Sequence, residues 1–152
     1  MIKHIKCDIF ESGADVICHQ VNCRGVMGSG IAKQVREKYP WVYAHYKQLC
    51  NETKPDELLG VIQETYINET QIIINIFGQR NFGYNGNCYT DYNKLKFALE
   101  TIKEYHETKT IAIPYLMGCH RGGGDWNIVY KMIEEVFSDF DGEVLICEFN
   151  GG

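Results

Sequence analysis

The chain contains two glycine-rich segments, each standing between a short apolar run and an amphipathic helix pattern. The first, residues 22–30, follows the run DVICHQV and precedes a helix pattern at residues 31–39. The second, residues 115–124, follows TIAIP and precedes a helix pattern at residues 125–137. Short apolar runs bounded by turn residues are typical of buried strands, and strands that alternate with helices predict a layered α/β fold.

The rest of the chain continues this alternation. We expect further strands at residues 2–6, 59–64, 71–77 and 143–149, and further helices at residues 41–50 and 92–106. Because no repeat, linker or low-complexity tract interrupts the pattern, we expect one domain over residues 1–152. The predicted architecture is a three-layer α/β/α sandwich around a central mixed or largely parallel sheet.

Composition excludes several classes of protein. No apolar run approaches the ~20 residues that a membrane-spanning helix needs, and the N-terminus lacks the apolar core of a signal peptide. We therefore expect a cytosolic protein and a monomer. The seven cysteines form no CxxC pair or zinc-spaced cluster, so we expect no metal and interpret them mainly as small buried residues.

The net charge of −5 argues against a nucleic-acid-binding surface, which needs clustered Lys and Arg. A small anionic ligand remains compatible with this charge, because backbone N–H groups at a helix N-terminus bind phosphate without basic side chains. No cofactor is indicated.

Both glycine-rich loops follow strands, and ligands of open α/β sheets bind beyond the carboxyl ends of the strands. We therefore expect the loops to face one another across a ligand; the alternative is that the glycines only permit tight turns. The first loop offers amides at residues 28–30, and the second offers further amides and Arg121, which suits a pyrophosphate. The first loop matches neither a Walker A loop nor the GxGxxG dinucleotide fingerprint.

Four stretches carry a family resemblance: CDIF, VNCRGVMGSGIAKQVREKYP, NIFGQ and IPYLMGCHRGGGDW with its following helix. Together they resemble a macrodomain, the ADP-ribose-binding fold, over nearly the whole chain. The chain is more narrowly similar to the branch that holds ADP-ribose-1''-phosphate phosphatases and terminal ADP-ribose glycohydrolases.

The resemblance implies a role for each matching position. Asp8 would accept a hydrogen bond from the adenine amino group, with backbone contact from Ile9, and Asn22 would lie near the distal ribose. The family usually has glycine where this chain has His120. The residues implied to surround the distal ribose and the phosphates are Gly28, Ser29, Gly30, Ile31, Gly118, Cys119, His120, Arg121 and Gly122.

The catalytic candidates are His19, Asn22 and Asp125. An imidazole titrates near neutral pH, so His19 is a candidate general acid or base; the alternative is a strand-end histidine bonded to the backbone. Asp125 is a candidate for activating water, but an aspartate before a helix is also a favoured N-cap. Asp91 also precedes a predicted helix, and we interpret it as a cap or a surface residue. Arg121 is a candidate phosphate clamp or a solvated loop cation.

The human terminal ADP-ribose glycohydrolase, a member of this branch, uses a lysine that attacks the sugar and an aspartate in the second loop. Here the lysine region reads NIFGQRN, with Gln79 and Arg80, and the loop aspartate falls at or near Gly122. Arginine stays protonated and is a poor nucleophile, so we expect hydrolysis by water. The expected activity is removal of the phosphate from ADP-ribose-1''-phosphate; the alternatives are removal of ADP-ribose from protein or nucleic acid and a non-catalytic reader.

Overall fold

A computed structural model describes residues 1–149 of the chain. Within these residues the chain forms six strands and five α-helices, together with a 3-10 helix at Ile9–Glu11. The strands are β1 (Ile2–Lys6), β2 (Val16–Asn22), β3 (Ile62–Tyr66), β4 (Ile72–Gln79), β5 (Thr110–Pro114) and β6 (Glu143–Glu148). The helices are α1 (Gly30–Lys38), α2 (Pro40–Glu52), α3 (Pro55–Leu58), α4 (Tyr92–Tyr105) and α5 (Trp126–Val136).

The strands form one mixed sheet in the order β1-β6-β5-β2-β4-β3. All neighbouring pairs are parallel except β3 with β4, which is antiparallel. Helices α4 and α5 bury their apolar faces on one side of the sheet, and α1 and α2 bury theirs on the other. The predicted three-layer α/β/α sandwich with a central mixed sheet is confirmed.

The element boundaries differ from prediction most at β3. The pattern at residues 59–64 predicts a strand that begins at Leu59, but the strand begins at Ile62. The preceding segment forms α3 instead, with Pro55 at its first position and acidic residues in its first turn, which favour a helix start. Gly60 then turns the chain with a φ of +93°. The strand therefore begins three residues later than predicted.

The sheet opens between β2 and β5. Their pairing comprises two register pairs, Val16 with Ile111 and Ile17 with Ala112. Beyond these pairs β2 continues to Asn22 alongside β4, with a register shift after Val21. The strand order also reverses between β5 and β2, and this is the place where ligand crevices form in α/β sheets.

No helix in the described residues is both long enough and apolar enough to cross a membrane.

A candidate ligand cleft between two glycine-rich loops

A cleft of about 330 Å³ lies at the carboxyl ends of β2, β4 and β5. This volume is within the range of small-molecule sites, roughly 300–1,000 Å³. Both glycine-rich loops line it, and a third segment that contains Phe82, Gly83 and Tyr84 completes the wall. The expected site residues in its lining are His19, Asn22, Gly28, Ser29, Gly30, Ile31, Gly118, His120, Arg121 and Gly122.

Asn22 organises the first loop from inside. Its Oδ1 accepts a 2.9 Å hydrogen bond from the N–H of Arg24, and its Nδ2 donates a 2.8 Å bond to the carbonyl of Val26. The buried hydroxyl of Tyr46 also lies 2.9 Å from the same Oδ1. An amide nitrogen carries two hydrogens, so one N–H of Asn22 is left for a ligand. The structure thus gives Asn22 a loop-forming role that sequence reasoning missed.

The N-terminus of α1 opens onto the cleft. Ser29 is its N-cap but makes no side-chain capping bond, and its first turn holds no acidic residue. The first N–H groups of a helix have no partner within the helix and carry partial positive charge. Gly30 has a φ of +60°, which favours glycine over residues with a side chain. The amides of this turn can therefore bind an anion.

The second loop is fastened to the segment before α4. The hydroxyl of Thr90 donates a 2.6 Å bond to the carbonyl of Gly118, which also accepts from the N–H of Gly124 at 2.9 Å. The carbonyl of Gly122 accepts from the N–H groups of Tyr89 and Thr90. A Cβ on Gly122 would stand 2.5 Å from the Gly118 oxygen, so only glycine fits there. The close packing of the loop requires these glycines.

Gln20 of β2 takes part in the hydrogen bonds that hold the second loop in place. The Nε2 of Gln20 donates 2.9 Å bonds to Thr90 Oγ1 and to Gln79 Oε1. Its own Oε1 is buried and has no partner among the described residues. Gln20 thereby couples the strand that leads into the first loop to the anchor of the second.

Leu116 adds strain at the same place. It has a φ of +64°, and it is the one non-glycine residue with positive φ in the described part of the chain. Such a conformation costs roughly 1–2 kcal/mol for a residue with a side chain. Strained residues cluster at functional sites, and Leu116 lines the cleft.

His19 forms part of the cleft floor and is 2% exposed. Its Nε2 lies 2.5 Å from Oδ1 of Asn75 on β4, and its Nδ1 is buried without a partner among the described residues. Burial lowers the pKa of His19 to about 4, against a smaller raising effect of the Asn75 hydrogen bond. The imidazole is therefore neutral at pH 7, and it bonds a side chain rather than the backbone.

His120 and Arg121 of the second loop are both exposed and line the cleft. The guanidinium of Arg121 lies over the ring of Tyr84, with its Cζ 4.3 Å from the ring centroid. A guanidinium on an aromatic face is a favourable cation–π contact. This contact joins the second loop to the third wall segment at the mouth of the cleft. His120 stands beside Arg121, where it can reach a bound ligand.

The structure places Asp125 outside the cleft lining. Its carboxylate caps α5 by accepting a 2.9 Å bond from the N–H of Asn127. The structure thus shows the capping role for this carboxylate. A catalytic role can coexist with the cap and stays a prediction. Asp91 caps α4 in the same way through the N–H of Lys94.

Three expected ligand contacts also lie outside the lining. Cys119 turns its sulfur toward the carbonyl of Met117 and packs against the core, and burial raises its pKa to about 11. Asp8 and Ile9 follow β1, which is separated from β5 by β6. Asp8 accepts a 3.0 Å bond from the N–H of Phe10, and Ile9 is buried in the core. The 3-10 helix that begins at Ile9 nevertheless packs against β5, so Asp8 and Ile9 stand beside this strand.

Sequence reasoning missed several polar residues that are buried or half-buried around the cleft. Gln20, Asn75 and Gln79 interrupt otherwise apolar runs, and Thr90 precedes the cap of α4. Polar side chains are rarely buried unless they are paired, so their presence in such runs was an available signal.

A larger hollow of about 710 Å³ lies between α4 and the end of α5. Charged side chains line most of it, and it contains neither glycine-rich loop. Within residues 1–149, no group of three or more His, Cys, Asp or Glu side chains is arranged to hold a metal ion. The cleft between the loops is therefore the candidate site.

The fold and the cleft together define a class: a three-layer α/β domain with its ligand cleft at the switch point of the sheet. The Macro domain family model matches residues 18–133. The chain belongs to the Macro domain family, which confirms the resemblance carried by the glycine-rich loops.

Relatives with assigned activities fall into two groups. The chain is 26% identical over 157 residues to the DNA ADP-ribosyl glycohydrolase of Mycobacterium tuberculosis, covering 100% of this chain and 43% of that protein. It is 27% identical over 169 residues to the ADP-ribose 1''-phosphate phosphatase of Saccharomyces cerevisiae, covering 94% of each. The chain thus spans less than half the length of the mycobacterial relative.

A solved structure shares the fold. Thermosipho africanus DarTG in complex with ADP-ribose superposes with a TM-score of 0.78 at 22% identity, over 97% of this chain and 41% of that one.

Proposed function

We propose that this chain binds ADP-ribose and hydrolyses a group attached to its distal ribose, with ADP-ribose-1''-phosphate as the substrate. One observation carries the proposal: two glycine-rich loops from distant parts of the chain line a single cleft with an unpartnered imidazole nitrogen in its floor. The phosphatase named among the relatives supports this substrate, since it matches along almost its whole length.

The loops would hold the pyrophosphate through main-chain donors. The first turn of α1 offers its free amides from one side, and residues 118–122 approach from the other. Amides at a helix N-terminus and in glycine-rich turns favour phosphate oxygens. Asp8, at the same edge of the sheet beyond the cleft, is our candidate for the adenine amino group.

The reaction needs a water molecule placed against the phosphorus atom. Its oxygen attacks phosphorus while the bond to the 1''-oxygen breaks, and the electron pair stays on the sugar oxygen, which takes up a proton. The products are ADP-ribose and inorganic phosphate. His19 is neutral at pH 7, so Nδ1 can accept a proton or a hydrogen bond from the water. Arg121 would pair with the terminal phosphate.

A lysine–sugar intermediate finds no support in the geometry. No lysine lines the cleft among the described residues. Arg80 forms a 2.7 Å ion pair with Asp56, and Gln79 is bonded to Gln20 and to the carbonyl of Asn81. Water is therefore the nucleophile that we propose for either reaction.

The test compares phosphate release from ADP-ribose-1''-phosphate by the wild type and by His19→Ala. We expect turnover by the wild type and a loss of about a hundredfold or more in the variant, because general base catalysis contributes ~10²–10⁴ in rate. Unchanged turnover in the variant would refute the role of His19. ADP-ribose binding without any phosphate release would indicate a reader, and release of ADP-ribose from modified DNA instead would indicate a glycohydrolase, as in the mycobacterial relative.

A further inference from the structure

A series of hydrogen-bonded, buried polar side chains leads from the cleft floor across β4 and β3 to α2. His19 Nε2 meets Asn75 Oδ1 at 2.5 Å, Asn75 Nδ2 donates to Gln63 Oε1 at 3.0 Å, and Gln63 Nε2 donates to the carbonyl of His45 at 3.1 Å. The side-chain members come from β2, β4 and β3, and all three are less than 10% exposed. Buried polar groups are costly unless paired, so this arrangement invites a functional account.

The His45 carbonyl, at the α2 end of this hydrogen-bond series, determines the direction of every bond in the series. The carbonyl of His45 can only accept, so the amide nitrogen of Gln63 faces it and Gln63 Oε1 faces Asn75. That oxygen can only accept, so Asn75 turns its nitrogen toward Gln63 and its oxygen toward His19. Nε2 of His19 must then carry the hydrogen. Because a neutral imidazole has one N–H, Nδ1 is left with a lone pair.

His19 lies beside the opening in the sheet. It stands directly beside Asn75 in the β2–β4 register, and Nε2 faces Asn75. The two nitrogens of an imidazole lie on different sides of the ring, so the buried Nδ1 faces away from Asn75. Beyond Ile17 the β2–β5 pairing has ended, and His19 and Pro114 both line the cleft there.

We propose that Asn75 and Gln63 are positioning residues that hold His19 as its Nε2–H tautomer, so that Nδ1 accepts a hydrogen bond from the reacting water or from a hydroxyl of the distal ribose. This inference rests on the proposed function. Asn75 and Gln63 touch no ligand and act through His19.

Few other groups around His19 titrate. On its face of the sheet, α2 contributes His45, whose ring bonds Thr65, and Tyr46, whose hydroxyl bonds Asn22 and whose pKa is raised by burial. It also contributes Cys50, whose pKa burial raises as well. Across the cleft stand His120 and the permanently charged Arg121. None of these is a carboxylate, so the amide of Asn75 is the partner that sets the tautomer.

The decisive test is a long-range ¹H–¹⁵N correlation spectrum of the ¹⁵N-labelled wild type at pH 7, with His19→Gln used to assign the signals. We expect a protonated Nε2 and an unprotonated Nδ1, and a shift of the Nδ1 resonance on saturation with ADP-ribose. The opposite tautomer would overturn the proposal. So would an Nδ1 resonance that does not move although ADP-ribose binds. If ADP-ribose does not bind at all, both the proposed function and this inference are refuted, whichever tautomer is found.

A second arm uses Asn75→Asp, which keeps the acceptor beside Nε2 but adds a charge. A carboxylate favours the protonated imidazole, so the acidic limb of the kcat profile should move up by about one pH unit or more, with ADP-ribose affinity within about threefold of wild type. A profile that superposes on that of the wild type would contradict the positioning role. Because the spectrum needs only the wild type, the proposal stays testable if this variant does not fold.

Discussion

The hydroxyl of Thr90 donates a 2.6 Å hydrogen bond to the carbonyl of Gly118 and accepts one of 2.9 Å from Gln20. This buried residue therefore links the strand that leads into the first loop to the backbone of the second. The relative position of the two loops depends on Thr90. The width of the cleft depends in turn on that position.

Replacement of that hydroxyl should affect both stability and binding. Thr90→Val keeps the shape but leaves the Gly118 carbonyl with one donor fewer, so we expect the free energy of unfolding to fall by about 1–3 kcal/mol. ADP-ribose affinity should fall as well, because the second loop loses its anchor. Denaturant unfolding and calorimetric titration measure the two effects. Thr101→Val is the matched control, since that hydroxyl bonds only Phe97 within α4; equal effects in the two variants would contradict the account.

The glycines of the second loop should differ sharply from Gly28 in their tolerance of alanine. A Cβ on Gly123 would lie 2.1 Å from the Asn87 carbonyl, and its φ is +69°. Gly123→Ala should therefore lower the free energy of unfolding by about 2 kcal/mol or more. At Gly28 the nearest atom would be a Val26 methyl at 3.6 Å, an ordinary contact. Thermal unfolding of the two variants tests this, and similar melting temperatures would show that the loop is looser than described.

Much of the fold follows from patterns that are local in the sequence. β5 has the predicted bounds because it is an apolar run ended by turn residues, and β1 also has its predicted bounds. The shared cleft of the two glycine-rich loops was also predictable, since carboxyl ends of parallel strands meet at one edge. Whether Asp125 caps α5 or also acts on water was not, because the same residue type suits both roles. Nor was the bond between Thr90 and Gly118, which joins residues 28 positions apart.

Protonation of His19 should destabilise the fold in acid. Burial lowers its pKa from 6.5 to about 4, so between these values the unfolded chain binds more protons than the folded one. The stabilisation is fully present above pH 6.5 and is lost as the pH falls toward 4, by on the order of 3 kcal/mol. Unfolding of the wild type and of His19→Gln across this range isolates the effect. A stability difference between the two that is independent of pH would contradict the buried neutral imidazole.

Arg121 should distinguish the phosphorylated ligand from ADP-ribose itself. Arg121→Gln removes the charge that we assign to the terminal phosphate, so affinity for ADP-ribose-1''-phosphate should fall by about tenfold, and affinity for ADP-ribose much less. Arg24→Gln is the control, because the Arg24 guanidinium bonds Asn81 and does not line the cleft. Equal losses for the two ligands would place the guanidinium elsewhere on the ligand.

In the proposed site, main-chain donors from both loops hold a diphosphate, and calorimetric titration with ADP-ribose measures this binding. We expect one site with a micromolar Kd, together with binding of AMP at least about tenfold weaker, because AMP lacks the second phosphate and the distal ribose. No binding of ADP-ribose at about 1 mM, or AMP bound as tightly as ADP-ribose, would contradict the proposed site.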